Sequence, residues 1–153
     1  MKNYEQISKT CKLWWSEGLK LNNERYTQVS GYIFNDQNQL LIVKNKNSWT
    51  IPGGHPEPNE APVETLEREI LEESCTTIKN IKYLGALEVV ENDETYYQLR
   101  YTAKALDVLP FKKEWETSER LFVDLNDLHN YIPWSKGVAF SQQIESAKNV
   151  WNI

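Results

Sequence analysis

Between Gly53 and Thr76 the chain reads GGHPEPNEAPVETLEREILEESCT, with seven glutamates, at positions 57, 60, 64, 67, 69, 72 and 73, against one arginine, Arg68. Helical character begins near Asn59, which can cap the helix, and Pro62 falls in the first turn, where its missing N–H costs little. On a helix of 3.6 residues per turn, Glu69, Glu72 and Glu73 lie within an arc of roughly 100 degrees, so three carboxylates share one face. Like charges spaced in this way destabilise a helix unless something positive sits over them. Arg68 can pair with Glu64 and Glu72 along its own row, but it cannot neutralise the whole cluster. Val63, Leu66 and Ile70 form an adjacent apolar stripe that would hold the helix on a sheet and fix where the carboxylates point.

The missing charge is most simply a divalent cation. Hard oxygen donors with no thiol or imidazole pair nearby favour Mg²⁺ or Mn²⁺ over zinc. The alternative on the carboxylates alone is a solvated acidic helix face. Gly53 and Gly54, directly before the helix, shift the balance towards the cation, because glycine lets backbone approach an ion or a phosphate closely. The net charge of -5 argues against nonspecific binding to a phosphate backbone, so an anionic ligand needs a cation or a few placed basic residues.

A chain of 153 residues, 40% apolar and 25% charged, suits one compact domain, residues 1–153. Ile7, Cys11, Trp14 and Trp15 recur at helical spacing and predict a short N-terminal helix within Tyr4 to Leu19. Val29 to Phe34 and Leu40 to Val43, separated by Asn35 to Asn38, read as two paired strands. Trp49 to Pro52 is a short extended piece. Ile81 to Glu91 and Thr95 to Leu106 form a long hairpin, and Arg120 to Leu125 one more strand. Phe140, Ile144, Ala147 and Trp151 give the amphipathic face of a closing helix. Strands on both sides of a central helix predict an α/β sandwich whose mixed sheet is covered on both faces. No stretch approaches the ~20 apolar residues that cross a bilayer, and the expected compartment is the cytoplasm, with Cys11 and Cys75 reduced.

The acidic segment resembles the signature of the Nudix hydrolases: G, five residues, E, seven residues, then R-E-U-x-E-E-x-G-U, with U aliphatic. Gly54, Glu60, Arg68, Glu69, Ile70, Glu72 and Glu73 stand in register, and Trp49 to Gly54 is similar to the W-x-L-P-G-G that often opens the motif. Cys75 replaces the second glycine, Thr76 the last aliphatic residue, and Asn59 a frequent glycine. Asn59 tolerates positive φ, whereas Cys75 and Thr76 put the helix exit in question.

The resemblance implies a Nudix α/β/α sandwich that hydrolyses a nucleoside diphosphate linked to another group X, using Mg²⁺ or Mn²⁺. By the same analogy Glu72 and Glu73 match the principal metal ligands, Glu69 a ligand or general base oriented by Arg68, and Gly53 a carbonyl donor to the metal, with Glu69, Arg68 and Glu73 as the catalytic set. Glu60 is then a structural acid, Glu57 a peripheral contact, and Glu64 and Glu67 solvated or capping charges. Glu116, favoured over Glu119, is the candidate for an extra metal ligand or base from outside the box.

Substrate contacts are expected from Gly54, from Lys44 (or Lys46) and Arg100 on phosphate, and from Trp115 and Trp134 as stacking surfaces for a base. The expected partner is a small nucleotide. Nucleoside triphosphates and nucleotide sugars stay open, ADP-ribose loses weight for want of a proline between Pro62 and Pro110, and an RNA 5′ end is admitted without being favoured. A homodimer would be usual for such a family. The competing reading is a noncatalytic Nudix-like module that binds a nucleotide or a partner.

Overall fold

The computed structural model describes residues 2–153. Nine strands form one sheet: β1 (Glu5–Gln6), β2 (Cys11–Glu17), β3 (Tyr26–Phe34), β4 (Leu40–Asn45), β5 (Ser48–Thr50), β6 (Gly53–Gly54), β7 (Thr76–Glu91), β8 (Glu94–Val108) and β9 (Thr117–Val123). The main path runs β1-β2-β7-β8-β3-β4-β5, with β6 beside β3 and β9 beside β4. Only the β3–β8 pair is parallel, so the sheet is mixed and mostly antiparallel. Helix α1 (Pro62–Ser74) connects β6 to β7, the short α2 (Leu128–Tyr131) follows β9, and α3 (Val138–Trp151) closes the chain.

Alternation along the strands divides the core in two. Val29, Ile33 and Leu41 point to one face, where Leu66 and Ile70 of α1 complete the packing. Tyr32, Phe34, Leu40 and Ile42 point to the other and meet Ala139, Phe140 and Ala147 of α3. A strand with both faces covered reads as a continuous apolar run, which is what Leu40 to Val43 shows. The expected sandwich is therefore present, and the expected α3 face is the one that packs. Among the described residues no helix is long and apolar enough to cross a membrane.

Several boundaries differ from expectation. The N-terminal segment is not a helix: Cys11 to Glu17 is a strand, paired with β7 from Cys11↔Glu91 to Glu17↔Gly85. Cys11, Leu13 and Trp15 face the α3 core at a period of two, a pattern that coexists in the sequence with the helical spacing of Cys11, Trp14 and Trp15. Tertiary pairing decides between them, because β7 spans 16 residues and β2 covers its outer edge. Strands β3 and β4 pair only at Phe34↔Leu40, since β3 spends most of its length beside β8. The hairpin β7–β8 and the strand β9 exist but begin earlier than predicted, and Val63 of the expected stripe is exposed while Leu66 and Ile70 are fully buried.

Candidate active site

The N-cap of α1 is Ala61 and not Asn59. Asn59 instead takes positive φ, 65°, in the turn before the helix. Glu64 closes the first helical turn by accepting from the Ala61 N–H at 2.8 Å, so it caps the helix and leaves Arg68 free for other partners. The predicted Arg68–Glu64 pair is accordingly not formed. Arg68 forks onto Glu60, with Nε to Oε2 at 2.7 Å and Nη2 to Oε1 at 3.0 Å, and its Nη2 also donates to the His55 carbonyl at 3.0 Å. Its Nη1 reaches Glu69 Oε1 at 2.9 Å and Glu72 Oε2 at 3.4 Å. One guanidinium thus ties the loop before the helix to two carboxylates on it, with bidentate geometry that lysine could not reproduce.

Glu60 also accepts from Thr65 Oγ1 at 2.6 Å and the Glu57 N–H at 3.0 Å, and the Arg68 hydrogen bonds lead in holding its carboxyl at about 2. Glu57 lies 3.8 Å from Arg68 at the edge of the group.

Gly53 and Gly54 form β6 against Ser30 and Val29 of β3. The Gly53 N–H donates to Glu73 Oε1 at 2.7 Å. A Cβ on Gly54 would come within 2.5 Å of Glu69 Oε1 and 2.7 Å of Oε2, so glycine is required there for the Glu69 carboxylate to lie against the backbone.

Burial is the largest influence on the Glu73 carboxyl. Against the opposing Gly53 hydrogen bond, burial and the charges of Glu69, Glu116 and Glu72 push it up to about 8. Burial also raises Glu69, with Arg68 opposing the shift. Four carboxylates, one of them from outside the helix, therefore share one field. Among the described residues no three acidic, histidine or cysteine side chains already close around a single point. Yet Glu69 Oε2, Glu72 Oε1 and Glu73 Oε2 make no hydrogen bond among the described residues, while the other oxygen of each is held by Arg68 or Gly53. Three oriented carboxylates, each with one oxygen to spare, fit a hard divalent cation.

The helix exit answers the question raised by Cys75. Cys75 itself takes the left-handed conformation, φ 53° and ψ 37°, that the usual glycine would supply. Exposed carbonyls in the last turn are met from β9: Thr117 Oγ1 donates to Glu73 O at 2.6 Å, and Arg120 Nη1 donates to Ser74 O at 2.8 Å and to Leu109 O at 2.7 Å. The arginine also places positive charge at the negative end of the helix. Neither residue was singled out in the sequence, because a cap supplied from a distant strand leaves no local pattern.

The outlying candidates separate. Glu116, on the exposed segment just before β9, contributes its charge at Glu69 and Glu73. Glu119 pairs with Lys44 at 3.1 Å. Trp115 is exposed beside Glu72 and Cys75, over a groove with Leu71 and Leu109. Trp134 lies on the other side of the sheet, edge-on to Phe140 with ring centroids 4.6 Å apart. Arg100 is buried, 7% exposed, beneath the same region and is bound by Gln28, Gln98 and Gln143, three residues the sequence reading passed over.

A family model for the NUDIX domain matches residues 25–141. The chain is 35% identical over 78 residues to the human protein named nucleoside diphosphate-linked moiety X motif 6, covering 46% of this chain and 25% of that protein. It spans well under half the length of the curated relatives it matches. In architecture it is similar to the Bacillus subtilis pyrophosphohydrolase BsRppH, with a TM-score of 0.80, 18% identity and 97% of both chains covered. It also resembles the NUDIX domain of Shewanella oneidensis NrtR, solved with ADP ribose, with a TM-score of 0.62, 17% identity, and 85% of this chain and 90% of that one covered.

Proposed function

This chain belongs to the Nudix family, and on that premise we propose that it is a pyrophosphohydrolase, dependent on Mg²⁺ or Mn²⁺, that cleaves the diphosphate linkage of a nucleoside diphosphate joined to a further group X. The observation that carries this reading is the set of three helix carboxylates, Glu69, Glu72 and Glu73, each fixed through one oxygen while the other makes no hydrogen bond among the described residues. A solvated acidic face needs no such fixing.

Bound divalent cations would be held by Glu69, Glu72 and Glu73, with Glu116 reaching in from the loop, and would supply Lewis acidity towards the phosphoryl oxygens. The chain's own part is orientation. Arg68 fixes Glu69 and Glu72, the Gly53 N–H fixes Glu73, and Gly54 clears the space in which Glu69 lies. Burial raises the Glu69 carboxyl against its hydrogen bond to Arg68, and as the base in place of a ligand it would take the proton of the attacking water.

The test is a turnover screen of the wild-type protein against nucleoside triphosphates, nucleotide sugars, ADP-ribose, dinucleoside polyphosphates and triphosphorylated RNA, each with Mg²⁺, Mn²⁺ or EDTA. Release of a nucleotide that EDTA abolishes is the expected result. A folded protein that binds nucleotide and turns over none of these compounds would overturn the proposal in favour of a binding module.

A further inference from the structure

A cavity of about 520 Å³ opens between the sheet and α3, on the side away from α1, and lies within the size range of small-molecule sites. Ser30 and Ile51 line it, and Ser30 is the register partner of Gly53, so the cavity borders the loop that holds Glu73. Its floor is an unusual polar row in an apolar sheet. Strand alternation and the parallel β3–β8 register place Gln28 beside Gln98 and Ser30 beside Arg100.

Arg100 is buried with no carboxylate partner among the described residues. Nε donates to Gln143 Oε1 at 3.0 Å, Nη1 to Gln28 Oε1 at 3.1 Å, and Nη2 to Gln98 Oε1 at 2.8 Å. Arginine only donates, so it fixes the orientation of all three amides: each turns its oxygen to the guanidinium and its NH₂ away. Those NH₂ groups make no hydrogen bond among the described residues, and Nη2 keeps one N–H. The floor is therefore rich in donors and positively charged.

Elsewhere in the lining the sign reverses. Glu5 and Glu91, both partly exposed, line the same cavity, and Trp134 and Phe140 provide aromatic wall. These acidic groups oppose the entry of a phosphate or other polyanion, whereas a neutral ring with acceptors on one edge and donors on another meets both signs. Guanine has that pattern: O6 and N7 accept, the pairing with arginine being the commonest specific one, while N1–H and the exocyclic amine donate. Adenine offers an amine where O6 would be, and would leave donors facing donors.

We infer that this cavity receives the base of the substrate and selects a guanine-type keto purine, with Gln28, Gln98 and Arg100 reading its acceptor edge. Arg100 then serves the base and not a phosphate. The inference rests on the hydrolase reading for the word substrate, but its test does not. Gln98→Glu and Gln28→Glu are isosteric, keep an oxygen on Arg100, and replace the NH₂ donor with an acceptor.

The experiment is a titration of the purified full chain with GMP, AMP, CMP and UMP in EDTA, followed by tryptophan fluorescence, with melting curves for each variant. GMP should bind at least 10-fold more tightly than AMP. Either substitution should weaken GMP at least 10-fold while AMP changes less than 3-fold and the melting temperature holds. Equal binding of GMP and AMP by the wild type, or GMP binding untouched by both variants, would overturn the inference. Selective GMP binding without any turnover sinks the hydrolase reading and leaves the base site standing, whereas turnover without base preference does the reverse.

Discussion

Replacing Glu73 by glutamine separates chemistry from folding. The Gly53 N–H can donate to the new amide oxygen as it does to Glu73 Oε1, so the packing around position 73 is preserved. The buried acid goes. In the wild type its carboxyl is raised from 4.5 to about 8, mainly by burial. Below pH 4.5 the folded and unfolded chains both hold this proton. As pH rises towards 8 the unfolded chain releases it first, so the wild type loses stability across that window.

At 1.36 kcal/mol per pH unit the upper limit is ~5 kcal/mol. Relaxation and water at a cluster shared by four carboxylates bring the expected figure to ~1–2 kcal/mol, or about 3–6 °C for a chain of this length. In EDTA the glutamine variant should therefore melt with the wild type at pH 5 and about 3–6 °C above it at pH 8.5. With Mg²⁺ and a substrate found in the screen, its turnover should fall by more than ~100-fold, because a direct cation ligand is lost and even a group that only supports a ligand costs ~10–100-fold. Calorimetry across pH and steady-state rates are the assays. A variant that melts below the wild type at pH 8.5, or one that keeps full turnover, would refute the reasoning.

Two further substitutions probe the same site. Gly54→Ala places a Cβ within 2.5 Å of Glu69 Oε1, so it should displace that carboxylate and lower kcat by ~10–100-fold; unchanged kcat would mean that Glu69 is free to move without consequence. Cys75→Gly removes a side chain from a left-handed position at φ 53°, and after the entropy of the added glycine it should stabilise by ~0.5–1 kcal/mol; a fall in melting temperature would show that the thiol's contact near Lys112 outweighs the backbone.

What could be read in advance was whatever is encoded locally. The spacing of Gly54, Glu60, Arg68, Glu69, Glu72 and Glu73 located the site, and the apolar run Leu40 to Val43 located a central strand. The N-terminal strand was misread because two periods overlap there and only pairing with β7 chooses between them. Thr117, Arg120 and Gln143 act across 44, 46 and 43 positions, on Glu73, Ser74 and Arg100 respectively, and such distances leave no trace in a local pattern. Gln28 and Gln98 did leave one. Each shares a strand face with buried residues, Gln28 with Tyr32 and Phe34 and Gln98 with Arg100 and Thr102, a signal that alternation alone could have raised.

The ties at the end of α1 also set what the neighbouring loop is permitted to be. Leu109 is held by its N–H to the Cys75 carbonyl at 2.9 Å and by its own carbonyl to Arg120, while Thr117 is fastened to Glu73. Residues 110–116 run between these two anchorages, touching the helix exit where the Lys112 N–H meets Cys75 Sγ at 3.4 Å. Beyond that touch the span can change without unseating the helix, so the acid at 116 and the aromatic at 115 form a replaceable cassette beside a fixed carboxylate platform. New leaving groups could be accommodated by exchanging the span while the platform beneath it stays as it is.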